Sequence, residues 1–224
     1  MVNKLSSKLV RSQVGSRQAP AAARSGLMTS REQAMREALG NPDVVYRDDS
    51  QDHPVDIYGF GRNFDAECGE DVADDDYVLV TSGMSDRPMP IPLGVKDQAS
   101  PLAELIWYVR ELNREFVHNL RWLAKLANFD KTWFASGHRI PMPEPPLSFC
   151  SFKTFLLLSP VIGPDRELFA SVQTGGRSIE TLCVHLISEP EYALIKRDGL
   201  RTFFGLLDNS DYPVVFDPDR ASLL

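Results

Sequence analysis

The sequence has few of the residues that build metal sites and disulfide frameworks. Three cysteines, Cys68, Cys150 and Cys183, lie far apart in a chain of 224 residues, with no CxxC spacing. The four histidines, His53, His118, His138 and His185, are scattered. A structural zinc site and a disulfide-stapled small domain are both unsupported, and isolated thiols point to a reducing, cytoplasmic compartment. No apolar run approaches the roughly 18–20 residues of a membrane-spanning helix. The longest, Phe152 to Val161, is interrupted by Lys153 and closed by Pro160. Nucleotide loops are missing too: no GxGxxG follows a strand, and Gly175-Gly176 lacks the Lys-Ser/Thr of a phosphate loop. The reading therefore includes no cofactor and no membrane.

Acidic residues are absent from the first 31 positions, where Lys4, Lys8, Arg11, Arg17, Arg24 and Arg31 give +6. The whole chain carries −7, so the remainder carries −13. Residues 1–27 read as a basic leader outside the fold: a disordered tail, a transit-like segment, or sequence upstream of a start at Met28. Residues 28–224 read as one domain. Its acidic body argues against nucleic-acid binding, which depends on neutralising phosphates.

With 43% hydrophobic residues the chain can bury a sizeable core. Ser30-Arg-Glu-Gln33 has the form of a capping box, and Ala34, Met35, Ala38 and Leu39 follow at helical spacing up to Gly40. Strands are expected at 43–46, 55–60, 77–81, 103–110 and 152–159. Asn113 is placed to cap a helix whose apolar stripe is Phe116, Val117, Leu120, Leu123, Leu126 and Ala127. Leu168 to Thr174 and Ile179 to Ile187 read as a hairpin across Gly175-Gly176. Ser188-Glu-Pro-Glu191 opens a helix that ends near Gly199, Leu200 to Leu207 forms another, and Val214 to Phe216 forms a last short strand. Met84 to Pro101 and Trp133 to Pro146 are long proline-rich connections, a length that points to function or to a packed cover. The order implies an α+β fold, a single domain with a mixed β-sheet and helices packed against it.

Candidate chemistry is sparse. From Asp43 to Asp76 twelve acids face two arginines, net −10. Asp74-Asp75-Asp76 supplies hard oxygen ligands, but the alternating ligands, glycine turn and distal Glu of a calcium loop are missing. The stretch reads as a solvated loop or as a negative field that steers a basic partner. Ser85, in Ser82-Gly-Met-Ser85, is not part of a GxSxG elbow and reads as a turn hydroxyl bonded to backbone. His185 lies in an apolar strand, where it reads as a half-buried sheet histidine. His138 follows Gly137 in a loop and could line a cleft.

Taken in order, several segments resemble the suppressor of fused family. Tyr77-Val-Leu-Val-Thr-Ser-Gly-Met-Ser-Asp86 is similar to its strand ending in a Gly-hydrophobic-Ser turn, and Ala103-Glu-Leu-Ile-Trp-Tyr-Val109 to its aromatic Glu-Leu strand. The helix from Phe116 to Phe129 with Ser136-Gly-His138, the Cys183 to Leu207 region, and Asp217-Pro-Asp-Arg220 with Ser222 resemble later family segments. The resemblance implies a non-enzymatic protein-binding domain. The family's larger animal members bind a zinc-finger transcription factor with the help of a second, C-terminal domain, and that role is not carried over. Short, mostly bacterial members are proposed as immunity proteins that mask a co-encoded toxin. The resemblance implies a protein partner, of which a basic toxin is one kind, met by Asp74, Asp75, Asp76, Met84, Ser85 and His138. The alternative is a small metal-dependent hydrolase that uses the acidic loop and His138.

Overall fold

A computed structural model describes residues 25–64, 76–95, 100–210 and 212–224, with side chains from Ser30 onward. The expected leader, apart from its last three residues, lies outside them. So do Cys68 and half of the twelve acids of the acidic stretch, including Asp74 and Asp75.

Seven strands form one mixed sheet: β1 (Val44–Tyr46), β2 (Asp56–Arg62), β3 (Asp76–Ser82), β4 (Ala103–Val109), β5 (Arg139–Pro141), β6 (Thr154–Leu158) and β9 (Glu180–Ile187). Their spatial order is β1-β2-β3-β4-β9-β6-β5. The first four make an antiparallel meander. β4 then pairs with β9 in parallel, from Ala103↔Glu180 to Ile106↔Cys183, and β6 and β5 add antiparallel beyond it. All seven residues of β4 are buried, as expected of a central strand covered on both faces.

One face is covered by α2 (Arg114–Phe129), capped by Asn113, whose side chain accepts from the Glu115 N–H. Phe116, Leu120, Leu123 and Ala127 of α2 pack on Ile57, Leu79, Leu105, Trp107, Phe155 and Val184. Trp107 anchors this layer, edge-on to Phe116 at 5.0 Å and to Phe155 at 6.0 Å. The opposite face has two covers. Over the meander, α1 (Ser25–Leu39) and the segment after the short α3 (Gly163–Arg166) bring Met35, Leu168, Phe169 and Val172 onto Tyr58, Phe60, Val80 and Tyr108. Over β6 and β9, α4 (Glu189–Asp198) and α5 (Leu200–Leu207) bring Leu194, Ile195 and Phe203 onto Leu156, Leu158 and Ile187. The α+β architecture with a mixed sheet is as the sequence implies.

Four local expectations are corrected. α1 starts at Ser25, so Ser30 lies inside the helix and does not cap it; Gly40, at φ +84°, does end it. Leu168 to Thr174 is not a strand. Leu168, Phe169 and Val172 plug the second face from successive turns, and only β7 (Gln173–Thr174) and β8 (Arg177–Ser178) pair across the two glycines, both at positive φ. β9 pairs instead with β4 and β6. Val214 to Phe216 contributes a single parallel bridge, Val109↔Phe216. Conversely, β5 emerges from a segment read as irregular. Its pairing is supplied by β6, and its Arg-Ile-Pro sequence carries no period-two signal.

Candidate protein-interaction surface

Among the described residues, the most connected polar cluster sits where β3 turns toward the long loop before β4. Gly83, at φ +133°, leads into a single helical turn, Met84–Asp86, and the N–H groups of Gly83, Met84 and Ser85 converge. All three donate to the Glu104 carboxylate, at 3.0, 3.3 and 3.1 Å. Successive N–H groups in such a turn form a concavity that suits an anion. The hydroxyls of Thr81 and Ser85 donate to the same carboxylate, each at 2.6 Å. Glu104 is fully buried in a strand that is otherwise apolar, so its charge must be matched. Arg31 of α1, also fully buried, matches it: its Nε lies 3.6 Å from Glu104 and donates to Ser82 Oγ, while its Nη1 donates to Ser85 Oγ and to Asp86 at 2.7 Å. Burial alone would lower the Arg31 pKa, but the Glu104 and Asp86 carboxylates outweigh it and hold it above the ordinary arginine value.

Ser85 is therefore an internal bridge between a buried carboxylate and a buried guanidinium. Its hydroxyl donates to Glu104 and accepts from Arg31, so it bonds charged side chains and not the backbone expected from the sequence. Met84 is buried in the α2-side core. These two residues hold the base of the 83–101 loop, and their side chains present no surface.

This turn belongs to one end of the sheet. Strand register places the 47–55 loop, the 83–101 loop, the 130–138 loop and the β8–β9 junction there together. Cross-loop bonds tie them: His53 Nε2 lies 2.8 Å from the Gly83 carbonyl, and the Phe134 N–H donates to Met89 Sδ. Pro88, Met89, Pro90, Ile91, Pro101 and Arg177 line a groove of about 400 Å³. Large apolar side chains stand out of this end, most of all Leu93 at 82% exposure and Phe129 at 72%, with Val161 also exposed. His138 sits on its rim at the far edge strand. Its Nδ1–H donates to the Trp133 carbonyl at 3.1 Å, and its ring meets Trp133 edge-on at 4.3 Å. Burial lowers its pKa, against the opposing hydrogen bond to Trp133.

Asp76 stands at the other end of β3, buried and in register with Arg62. Six strand steps separate it from Ser82, about 20 Å at ~3.3 Å each. Arg62 Nη1 donates to both Asp165 oxygens, at 2.9 and 2.8 Å, and Tyr108 donates to Asp165 at 2.6 Å. β3 and β5 are four strands apart, so Asp76 and His138 are also separated laterally by about 19 Å at ~4.8 Å per strand. Asp76 and His138, the two described members of the metal-hydrolase alternative, therefore do not share a pocket; Asp74 and Asp75 lie outside the described residues. Among the described residues, no group of three His, Cys, Asp or Glu could hold a metal ion.

His185 is partly buried on β9 as expected, with its pKa pushed down to about 4 by burial and by the nearby Arg220. Glu104, Arg31 and the Glu191–Arg220 pair were not singled out by sequence reasoning. For Glu104 the signal was there: a lone carboxylate inside Ala103-Glu-Leu-Ile-Trp-Tyr-Val109.

The family model described as Suppressor of fused protein (SUFU) matches residues 51–221. This chain belongs to the SUFU family. The SUFU domain here is similar to three solved structures. One is a SUFU homologue from Neisseria gonorrhoeae, at 13% identity and TM-score 0.65, with 88% of this chain and 97% of that one covered. Another is Drosophila Suppressor of Fused, at 13% identity and TM-score 0.57, where this chain spans about half of the other's length. A third comes from a Sufu–Fu complex, at 13% identity and TM-score 0.53, covering 88% and 90% of the two chains. At this identity the likenesses establish the fold. No curated protein matches the chain. SUFU domains are protein-binding modules and generally non-enzymatic. Among the described residues of this one, no helix is long and apolar enough to cross a membrane.

Proposed function

We propose that this SUFU domain binds and masks a basic protein partner, acting as an immunity protein toward a cognate toxin, with the loop end of the sheet as its contact face. The observation that carries the reading is the pair Leu93 and Phe129. The described apolar residues are largely buried in three clusters, yet these two are the most exposed of the large ones, at the end of the sheet that also holds the groove. Exposed large side chains at a polar rim fit an interface better than a solvated surface. Asp49, Asp52, Asp86 and Asp130 are exposed around the same end, and the chain is acidic overall. Such a field steers a basic partner into place. Asp74, Asp75 and Asp76 then act at long range and His138 at the rim, while Met84 and Ser85 support the loop from beneath.

The test is a binding measurement against the products of the neighbouring reading frames, with wild type and a Leu93→Asp/Phe129→Asp variant. The reading expects a 1:1 complex, an association rate that falls about tenfold or more between low and high salt, and loss of binding in a variant that melts like wild type. A variant that binds as tightly as wild type, with no salt dependence, overturns it.

A further inference from the structure

The guanidinium of Arg31 fills the Glu104 cluster from outside the matched family region. The family model begins at residue 51, whereas Arg31 lies on α1, joined to the sheet through Gly40 and Pro42. Among the described side chains of α1, Arg31, Ala34 and Met35 are buried and Leu39 partly buried, while Gln33, Arg36, Glu37 and Ala38 face solvent. Beneath it the receptor is built entirely by β3, β4 and the turn between them. Glu104 is held by three N–H groups and two hydroxyls, Ser82 and Ser85 present oxygens, and Asp86 stands at the mouth with its side chain about one-third exposed. Planar donors in a fork suit this set, since a single guanidinium reaches Ser82, Ser85, Asp86 and Glu104 at once. The cluster does not satisfy Arg31 fully, because the buried Nη2 of Arg31 has no hydrogen-bond partner.

We propose that the Glu104 cluster is a guanidinium-binding pocket, plugged in cis by Arg31 and able to take an arginine side chain from another protein when α1 withdraws. The pocket opens at the loop end, on the face opposite α2. The proposal deepens the partner reading by naming the group that a basic partner would insert, and it makes α1 an autoinhibitory plug on that site.

The test uses the full chain and needs no partner. In Arg31→Ala the pocket loses its guanidinium and Glu104 is left without its counter-ion, so the melting temperature falls. Ethylguanidinium at millimolar concentration restores it saturably, and ethylammonium at the same concentration does not. Should Arg31→Ala fail to fold, Arg31→Lys serves in its place, with rescue read as the yield of folded protein on refolding with each cation. Displacement is read in wild type by amide hydrogen exchange. Ethylguanidinium accelerates exchange across α1 at least threefold and leaves β3 and β4 protected, and ethylammonium has no such effect. Equal rescue by both cations, or none, overturns the pocket. Unchanged α1 exchange in wild type overturns the plug. Either failure leaves the Leu93–Phe129 surface to stand or fall on its own measurement.

Discussion

Replacing Arg220 by alanine tests the C-terminal part of the fold most directly. Arg220 donates to both oxygens of Glu191, at 2.7 and 2.8 Å, and its guanidinium lies over Phe152 at 4.4 Å and Tyr212 at 4.7 Å. Glu191 is fully buried and also accepts from the N–H groups of Ser188 and Leu223, so one carboxylate joins the start of α4 to the last residues described. Removing one partner of a buried pair strands the other charge, at a cost of about 3–5 kcal/mol. The two remaining backbone donors pull the value toward the lower end. For a chain of this size the melting temperature should drop by about 2–4 °C per kcal/mol, roughly 6–20 °C in all.

The pH dependence distinguishes this cause from lost packing. Burial pushes the Glu191 carboxyl up, but Arg220 and the two N–H groups outweigh it and hold the folded pKa below the ordinary glutamate value. A depressed carboxyl contributes stability above its unfolded pKa and loses it as pH falls through the folded one. Without Arg220, burial dominates and the folded pKa rises above the unfolded value. The variant then recovers part of its deficit on acidification, as Glu191 takes up a proton. Urea denaturation at neutral pH and near pH 4 measures both effects. A deficit below about 1 kcal/mol, or one of equal size at the two pH values, refutes the reasoning.

Gly83→Ala should destabilise strongly or prevent folding. The φ of +133° disfavours any side chain, and a Cβ would lie 2.4 Å from the Pro54 carbonyl oxygen, as denaturation or expression yield will show. Ser85→Ala should cost about 1–3 kcal/mol in chemical denaturation, since a buried charged cluster loses its bridging hydroxyl; a neutral result would undo the account of the turn. His185 should remain unprotonated in NMR titration until about pH 4. Because its folded pKa lies below its unfolded one, its share of stability is lost as pH falls from about 6.5 toward 4, and His185→Phe should flatten that part of the profile.

The elements that could be read from sequence were those whose signal is local. Asn113 with the Phe116–Leu120–Leu123–Ala127 stripe, the helix opening at Ser188-Glu-Pro-Glu191 and the aromatic strand Ala103–Val109 each carry their own pattern, and each is present. The misses were set by tertiary structure. β5 depends on β6 for its pairing, and Leu168 to Thr174 has strand-like composition but is used as plugs for a sheet face. The site was less legible than the fold. The turn of Ser82-Gly-Met-Ser85 was found, but its function is to cradle Glu104, which depends on a residue twenty positions away and on Arg31 from another helix. Acid clustering in sequence suggested one patch, whereas β3 carries Asp76 and Ser85 to opposite ends.

The parallel junction between β4 and β9 has a kinetic consequence. The meander on one side can zip up through contacts close in sequence, whereas Ala103 meets Glu180 only after the chain between them has been drawn into a closed loop. Docking of the two halves should therefore be the slow step of refolding. Before it is complete, the inner edges of β4 and β9 are unpaired strands of high apolar content, and that interval is when the nascent protein is most exposed to aggregation.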